Sequence, residues 1–102
     1  MTKEEKISEI LENNGFSIKN DGEEIWVSQY TPAGEDWNLS FNKLEEIIDY
    51  ADGFDPEEEF NCWIEAKMSG VSGVPDPSTL WQDQLWKQET LRRVANDVQD
   101  VL

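Results

Sequence analysis

Residues 37–51 read WNLSFNKLEEIIDYA, and the spacing of their apolar side chains changes at Asn42. Before Asn42, Trp37, Leu39 and Phe41 alternate with polar residues, which is typical of a strand with one apolar face. After it, apolar residues recur at the spacing of one helical face: Leu44, Ile47, Ile48 and Ala51. The stretch therefore predicts a strand followed directly by a helix, a combination that suits an α+β fold.

Upstream of this stretch, the pattern predicts a helix and a β-hairpin. A capping box of Thr2 and Glu5 predicts a first helix over about residues 3–13. Two runs of β-forming residues follow, near residues 16–19 and 24–30. Between them, Asn20-Asp21-Gly22 favours the positive φ angles of a tight turn. Together with the strand that begins at Trp37, these runs are expected to form a three-stranded antiparallel meander.

Downstream of the stretch, capping residues mark three helices. Asn42 and Glu45 form a capping pair for the helix that starts there, which should end near Gly53. Asp55 followed by Pro56 predicts the start of a third helix, over about residues 56–69. After a loop at residues 70–75, a final helix is expected over about residues 77–101. The order αβββααα predicts one α+β domain of residues 1–102, with helices packed on the three-stranded antiparallel sheet.

Length and composition indicate a compact globule rather than an acidic tail. The 102 residues include five Trp, four Phe and two Tyr, which supply the large apolar area that disordered acidic segments lack. Cys62 is the lone cysteine, which excludes an internal disulfide. The N-terminus lacks a signal-peptide pattern, and no apolar run approaches the roughly 20 residues of a membrane span. A cytoplasmic protein that does not bind membranes is therefore expected.

The residue types that most enzymes and metal sites require are scarce. The chain has no histidine and one cysteine, which excludes serine–histidine–aspartate triads, cysteine–histidine pairs and the common zinc ligand sets. Carboxylate pairs are abundant, but on exposed helix faces they lack the apolar surroundings of an acid catalyst. Their spacing also differs from that of a calcium-binding EF-hand loop. The protein is therefore expected not to be an enzyme, and no cofactor or metal ligand is predicted.

The acidic residues are concentrated in the middle of the chain. Residues 21–65 contain fourteen carboxylates and one base, Lys43, and so carry −13 of the formal net charge of −15. Such a field attracts proteins with basic surfaces and repels nucleic acid, at the cost of self-repulsion in the folded state. A basic protein partner is therefore expected, and direct binding of nucleic acid is not.

Eight of these carboxylates are predicted to form one acidic edge, which runs from the second helix into the first turn of the third. They are Glu45, Glu46, Asp49, Asp52, Asp55, Glu57, Glu58 and Glu59. A line of negative charge has the electrostatics of duplex DNA, which carries one charge about every 1.7 Å of its axis. The sequence therefore favours nucleic-acid mimicry. The alternative is that the charge only keeps an aromatic-rich protein soluble.

Aromatic residues of the final helix indicate a second kind of surface. Trp81 and Leu85 lie roughly opposite the apolar stripe of that helix, and Trp86 lies off the stripe too. One interpretation is that the start of the helix is buried between neighbouring elements. The other is that Trp81, Leu85 or Trp86 anchors another chain or a second copy, as aromatic residues do in interfaces. A structural or adaptor protein that acts through a Trp81/Leu85 patch is thus an alternative function.

Several turn and cap elements resemble a known group of proteins. They are SQYTPAGED at residues 28–36, FDPEE at residues 54–58, Trp63, and GVSGVP at residues 70–75. In these elements the chain is similar to small acidic anti-CRISPR proteins, which phages and mobile elements of Gram-positive bacteria carry against the RNA-guided nuclease of type II systems. The resemblance implies a non-enzymatic inhibitor in the bacterial cytoplasm that blocks guide-RNA loading or target-DNA engagement.

The charge pattern and the resemblance predict the same class of partner. It is a basic nucleic-acid-binding protein, expected to be a type II CRISPR effector, which holds its guide–target duplex in a positively charged channel. Docking would use the acidic edge, with Trp81 or Trp86 as apolar support, and the protein is expected to be a monomer or weak dimer. An antirestriction DNA mimic, directed at a different nuclease, is predicted equally well by the same charges.

Overall fold

The computed structural model describes residues 2–68 and 76–102, with side chains described for residues 2–65 and 76–102. Its elements are α1 (Lys3–Asn13), β1 (Ser17–Asn20), β2 (Ile25–Tyr30), β3 (Asp36–Phe41), a 3-10 turn (Leu44–Glu46), α2 (Ile47–Gly53), α3 (Pro56–Met68) and α4 (Pro77–Val101). The predicted α+β class and element order are confirmed. The predicted loop at residues 70–75 lies outside the described residues.

The three strands form an antiparallel meander in the order β1-β2-β3. Strand β3 alternates throughout, with Trp37, Leu39 and Phe41 buried and the residues between them exposed. Leu39 faces Val27 of β2, and Phe41 faces Ile25, so the apolar side chains of both strands lie on one face of the sheet. This face packs against helices, as the alternation in residues 37–41 predicts.

Helix α1 begins with the predicted capping box and ends at Asn13. The Thr2 hydroxyl accepts a hydrogen bond from the Glu5 N–H at 3.2 Å, and Glu5 Oε1 accepts one from the Thr2 N–H at 3.4 Å. This reciprocal pair is a complete capping box. After the helix, Gly15 has a φ of 90°, a conformation that side chains with a Cβ rarely adopt. It turns the chain into β1.

The hairpin turn between β1 and β2 is held by an aspartate. Asp21 Oδ1 accepts hydrogen bonds from the N–H groups of Glu24 at 2.8 Å and of Glu23 at 3.0 Å. These two donors, Glu24 first, hold the pKa of Asp21 below its usual value because they stabilise the ionised form. Only Gly22 of the predicted turn residues has a positive φ, of 97°. The turn therefore needs its special backbone conformation at one position.

The start of α2 differs from the prediction. The expected capping pair of Asn42 and Glu45 is wrong, because the chain first forms the 3-10 turn, whose cap position is Lys43 and which has no side-chain cap. Leu44, the first residue of that turn, is only 3% exposed. Its burial immediately after β3 tightens the backbone, and the α-helical hydrogen bonds begin only at Ile47.

One hydrophobic core joins the sheet to α1 and α4. Ile7 and Leu11 of α1 are almost completely buried, as are Leu91, Val94 and Val98 of α4. Burial of each such side chain contributes roughly 1.5–3 kcal/mol, so these positions fix how α4 lies on the sheet. Within residues 2–68 and 76–102, each helix is too short or too polar to cross a membrane.

Candidate functional site: an acidic groove at the α2–α3 corner

Helices α2 and α3 meet at a corner of two residues, Phe54 and Asp55. Helix α2 ends where the Phe54 N–H donates to the Ala51 carbonyl at 3.4 Å. Helix α3 begins with Asp55 in its predicted capping role, because Asp55 Oδ1 accepts from the Glu57 N–H at 3.0 Å. So short a connection brings carboxylates at the end of α2 beside carboxylates at the start of α3.

The corner contains a concave surface of about 230 Å³, which we call the acidic groove. Its lining residues are Asp49, Tyr50, Gly53, Phe54, Asp55, Glu58 and Glu59. Half of the predicted acidic edge therefore surrounds one concavity, although its members come from two helices and the corner between them. Asp49, Asp55 and Glu58 are exposed, and Glu59 is half-buried.

The other four predicted residues of the acidic edge lie outside the groove. Glu45 belongs to the 3-10 turn, and its Oε2 lies 3.2 Å from the Lys3 Nζ, so part of its charge is neutralised within the protein. Glu46 is half-buried, whereas Asp52 and Glu57 are exposed in α2 and α3. The eight predicted carboxylates thus do not form one uniform line. Four of them line the groove, and the other four flank it with unequal exposure.

Two aromatic rings form the apolar part of the groove. The ring centroids of Tyr50 and Phe54 lie 6.1 Å apart, and Tyr50 also meets Phe41 of β3 edge-to-face at 6.1 Å. Burial raises the pKa of the Tyr50 hydroxyl, and the negative charge of Glu59 adds to this effect. The rings are therefore anchored on the sheet, and the groove has a fixed apolar floor between its carboxylates.

Carboxylates around aromatic rings suit a cationic side chain. An Arg guanidinium can form paired hydrogen bonds with a carboxylate and stack on a ring, and a Lys ammonium can lie over a ring face. Among the described residues, no group of three or more His, Cys, Asp and Glu is arranged to hold a metal ion. Cys62, one helical turn after Glu58, is exposed with a free thiol.

Both predicted aromatic residues of α4 make contacts within the protein. The Trp81 ring meets Phe60 of α3 edge-to-face at 5.5 Å, and the Trp86 ring meets Trp37 of β3 at 5.7 Å. Both side chains are half-buried, so the start of α4 is packed between neighbouring elements. Leu85 remains 37% exposed. Partner binding by these tryptophans and an adaptor role for the Trp81/Leu85 patch stay predictions.

A second group of charged residues is buried, and it was not predicted from the sequence. Glu35, which immediately precedes β3, is 7% exposed, and Asp83 and Lys87 of α4 are 2% and 3% exposed. We call these three residues the buried charge cluster. The Thr31 hydroxyl donates to Asp83 Oδ2 at 2.6 Å, and the Ala33 N–H donates to Asp83 Oδ1 at 3.3 Å. The loop between β2 and β3 is thereby attached to α4.

Glu35 is the least satisfied member of the buried charge cluster. Within the described part of the chain, neither of its carboxylate oxygens has a hydrogen-bond partner. Loss of water on burial is the main reason that the pKa of Glu35 is raised to about 7; the adjacent Asp83 carboxyl adds to the rise, and the charge of Lys87 opposes it. Glu35 lines no part of the acidic groove and offers a substrate little surface.

The polar residues of α4 carry a sequence signal that could have revealed this cluster. They are Asp83, Gln84, Lys87 and Thr90, and all four are buried. Their spacing places them on the same helical face as Leu80 and Leu91. Polar residues at the core positions of an amphipathic helix indicate a buried polar contact, because an unpaired polar group costs free energy there.

Comparison of the chain with protein-family models, curated proteins and solved structures found no match. The resemblance to anti-CRISPR proteins thus depends on the quoted sequence elements alone, and the acidic groove is an independent structural feature.

Proposed function

We propose that this protein is a non-enzymatic inhibitor that docks the acidic groove on a basic nucleic-acid-binding surface of a type II CRISPR effector nuclease, and so blocks guide-RNA loading or DNA engagement. The groove is the observation that supports the proposal, because four carboxylates from two helices and their corner surround two aromatic rings. Proteins that hold nucleic acid present Lys and Arg to phosphates, and the same side chains bind carboxylates.

The charge around the groove favours fast association with such a surface. A net charge of −15 on 102 residues creates a field that steers a basic partner before contact. This field is screened beyond about 8 Å at physiological ionic strength. Association should therefore slow as salt is added, while contacts made inside the groove should be screened less.

The two parts of the proposal have different support. A basic partner surface is supported by the groove, whereas the type II effector as its owner is supported by the resemblance of SQYTPAGED and FDPEE. An antirestriction DNA mimic would use the same groove chemistry against another nuclease. The test must therefore include both kinds of enzyme.

An order-of-addition cleavage assay tests the proposal. The protein is mixed with a type II effector before or after guide RNA, and with a restriction nuclease, and binding and DNA cleavage are measured across a salt series. Salt-sensitive inhibition of the effector supports the proposal, and the order of addition shows which step is blocked. The absence of binding to several effectors in either order would refute it. Inhibition of the restriction nuclease alone would favour the DNA mimic.

A pair of charge-reversal variants tests the groove itself. Asp49→Lys with Glu58→Lys reverses two groove charges, and Glu89→Lys with Asp97→Lys reverses two exposed charges of α4. The groove variant should weaken binding by about tenfold or more, equivalent to about 1.4 kcal/mol, and the α4 variant by less than about twofold. Equal losses would mean that only the net charge matters. Circular dichroism checks that both variants are folded.

A further inference from the structure

In the loop between β2 and β3, residues 31–35, both the backbone and the side chain of Thr31 form hydrogen bonds. The Thr31 N–H donates to the Glu35 carbonyl at 2.9 Å, and the Glu35 N–H donates to the Thr31 hydroxyl at 3.0 Å. The same hydroxyl donates to Asp83 of α4. The backbone of Glu35 and the carboxylate of Asp83 are therefore bound to one residue, Thr31, which places Glu35 beside the link between the loop and α4.

The charges of the buried charge cluster balance only when Glu35 carries a proton. Asp83 and Lys87 face Glu35 from α4, and Glu59 acts on it from α3. Residues 31–34 of its own loop are uncharged, and Asp36 of β3 is exposed. With Glu35 protonated, the buried cluster holds one negative and one positive charge. With Glu35 ionised, it holds an unbalanced negative charge, which is costly to bury.

We propose that one proton held between the Glu35 and Asp83 carboxyls is a clasp that fastens the β2–β3 loop to α4, and that loss of this proton releases the loop. A protonated Glu35 can donate to Asp83, whose two oxygens already accept from Thr31 and Ala33 and have lone pairs to spare. An ionised Glu35 has no donor and repels Asp83. The clasp is a regulatory feature of the fold and does not depend on the proposed function.

The sign of the pH dependence follows from the raised pKa of Glu35, about 7 in the folded protein against the ordinary 4.5. Between these values the closed loop binds a proton that an open loop does not, so acid favours closure, and closure is lost as the pH rises through 7. From pH 6 to pH 8 the closing equilibrium constant should fall about tenfold. The chain has no histidine, so no imidazole titrates in this interval.

Amide hydrogen exchange of the full chain tests the clasp. The probes are the N–H groups of Thr31, Ala33 and Gly34, which donate within the loop or to α4. Their protection, corrected for the intrinsic pH dependence of exchange, should fall about tenfold between pH 6 and pH 8. Glu35→Gln retains a donor at every pH and should abolish this fall. Asp36→Asn, at the exposed neighbour, should leave it unchanged.

Two results would overturn the clasp. One is an equal fall in protection in the wild type and in Glu35→Gln. The other comes from the wild type alone and needs no variant to fold: the side-chain carboxyl ¹³C resonance of Glu35 is followed from pH 3 to pH 9. The clasp requires a midpoint near 7, with the loop amides shifting at the same midpoint. If Glu35 instead titrated with a midpoint close to 4.5, the ordinary value of an exposed glutamate, the clasp would be refuted.

Discussion

The acidic groove and the buried charge cluster use the same functional group in opposite surroundings. In the groove, Asp49, Asp55 and Glu58 are exposed, so water stabilises their negative charges and a partner can reach them. In the cluster, Glu35 is 7% exposed, and burial raises its pKa to about 7. The difference shows that a carboxylate of this acidic chain presents a charge where it is exposed, and holds a proton where it is buried without hydrogen-bond donors.

Of the following substitutions, removal of the Lys87 charge from the buried charge cluster should lower the free energy of unfolding most. Lys87 Nζ lies 5.7 Å from the centroid of the Trp37 ring, and Lys87→Met keeps an apolar chain there but removes the charge. We expect the free energy of unfolding at pH 7 to fall by about 2 kcal/mol, because the buried charge cluster loses its positive charge and the Trp37 ring loses its cation–π contact. The loss should be smaller at pH 5, where Glu35 is protonated. Urea denaturation at both pH values measures it.

The control for this variant is Lys6→Met, at an exposed position of α1. It should change the free energy of unfolding by no more than about 0.5 kcal/mol. Similar small losses from both variants would show that the buried charge cluster does not depend on its cation, and the contrast between groove and cluster would fail.

Ionisation of Glu35 with rising pH should lower the free energy of unfolding by a smaller amount. Because the folded protein keeps a proton on Glu35 up to about pH 7 and the unfolded chain loses it near 4.5, stability should fall by about 1.4 kcal/mol from pH 6 to pH 8. Glu35→Gln should remove most of this slope. Asp49→Asn, in the acidic groove, should leave it in place.

Urea denaturation of the three proteins at pH 6, 7 and 8 measures these slopes. If Asp49→Asn flattened the slope as much as Glu35→Gln, repulsion over the whole surface would be its cause. Buried and exposed carboxylates would then not differ in the way that the structure indicates.

Removal of an exposed charge beside the acidic groove should change the free energy of unfolding least. Asp52 lies in the last turn of α2, at the negative end of the helix dipole. Asp52→Asn should therefore stabilise the protein by about 0.5 kcal/mol at low salt. In 1 M NaCl, where the Debye length is about 3 Å, the gain should disappear.

Thermal denaturation at the two salt concentrations checks the Asp52 prediction, with Glu9→Gln in the middle of α1 as the control. The control should have almost no effect at either concentration. A stabilisation by Asp52→Asn that persisted in 1 M NaCl would mean that packing, and not charge, is changed at this position.

The elements of the fold could be predicted because their signals are local. The bounds of α4 follow from the Asp76 cap and Pro77 at one end and from the apolar stripe up to Val101 at the other. The Asn42 cap failed because burial of Leu44, which depends on the assembled core, took precedence over a favourable local hydrogen bond. Local signals therefore predict elements well and their first turns less well.

The acidic groove and the buried charge cluster likewise differ in how local their sequence signals are. The groove carboxylates lie between Asp49 and Glu59, so their proximity follows from two helices and a short corner, although the sequence did not show which four would surround one concavity. The cluster joins Thr31 to Asp83 across 52 positions. Glu35 is buried because α4 packs against the β2–β3 loop. The number of charges in the central segment does not predict that packing.

The free thiol of Cys62 makes the acidic groove accessible to optical measurement. It is the lone cysteine of the chain, and it lies four residues after Glu58, where side chains of a helix are neighbours. A thiol-reactive fluorophore would therefore attach to the wild-type protein at one known position, one helical turn from a groove carboxylate. Arrival and departure of a basic partner can then be timed by fluorescence without any substitution in the chain.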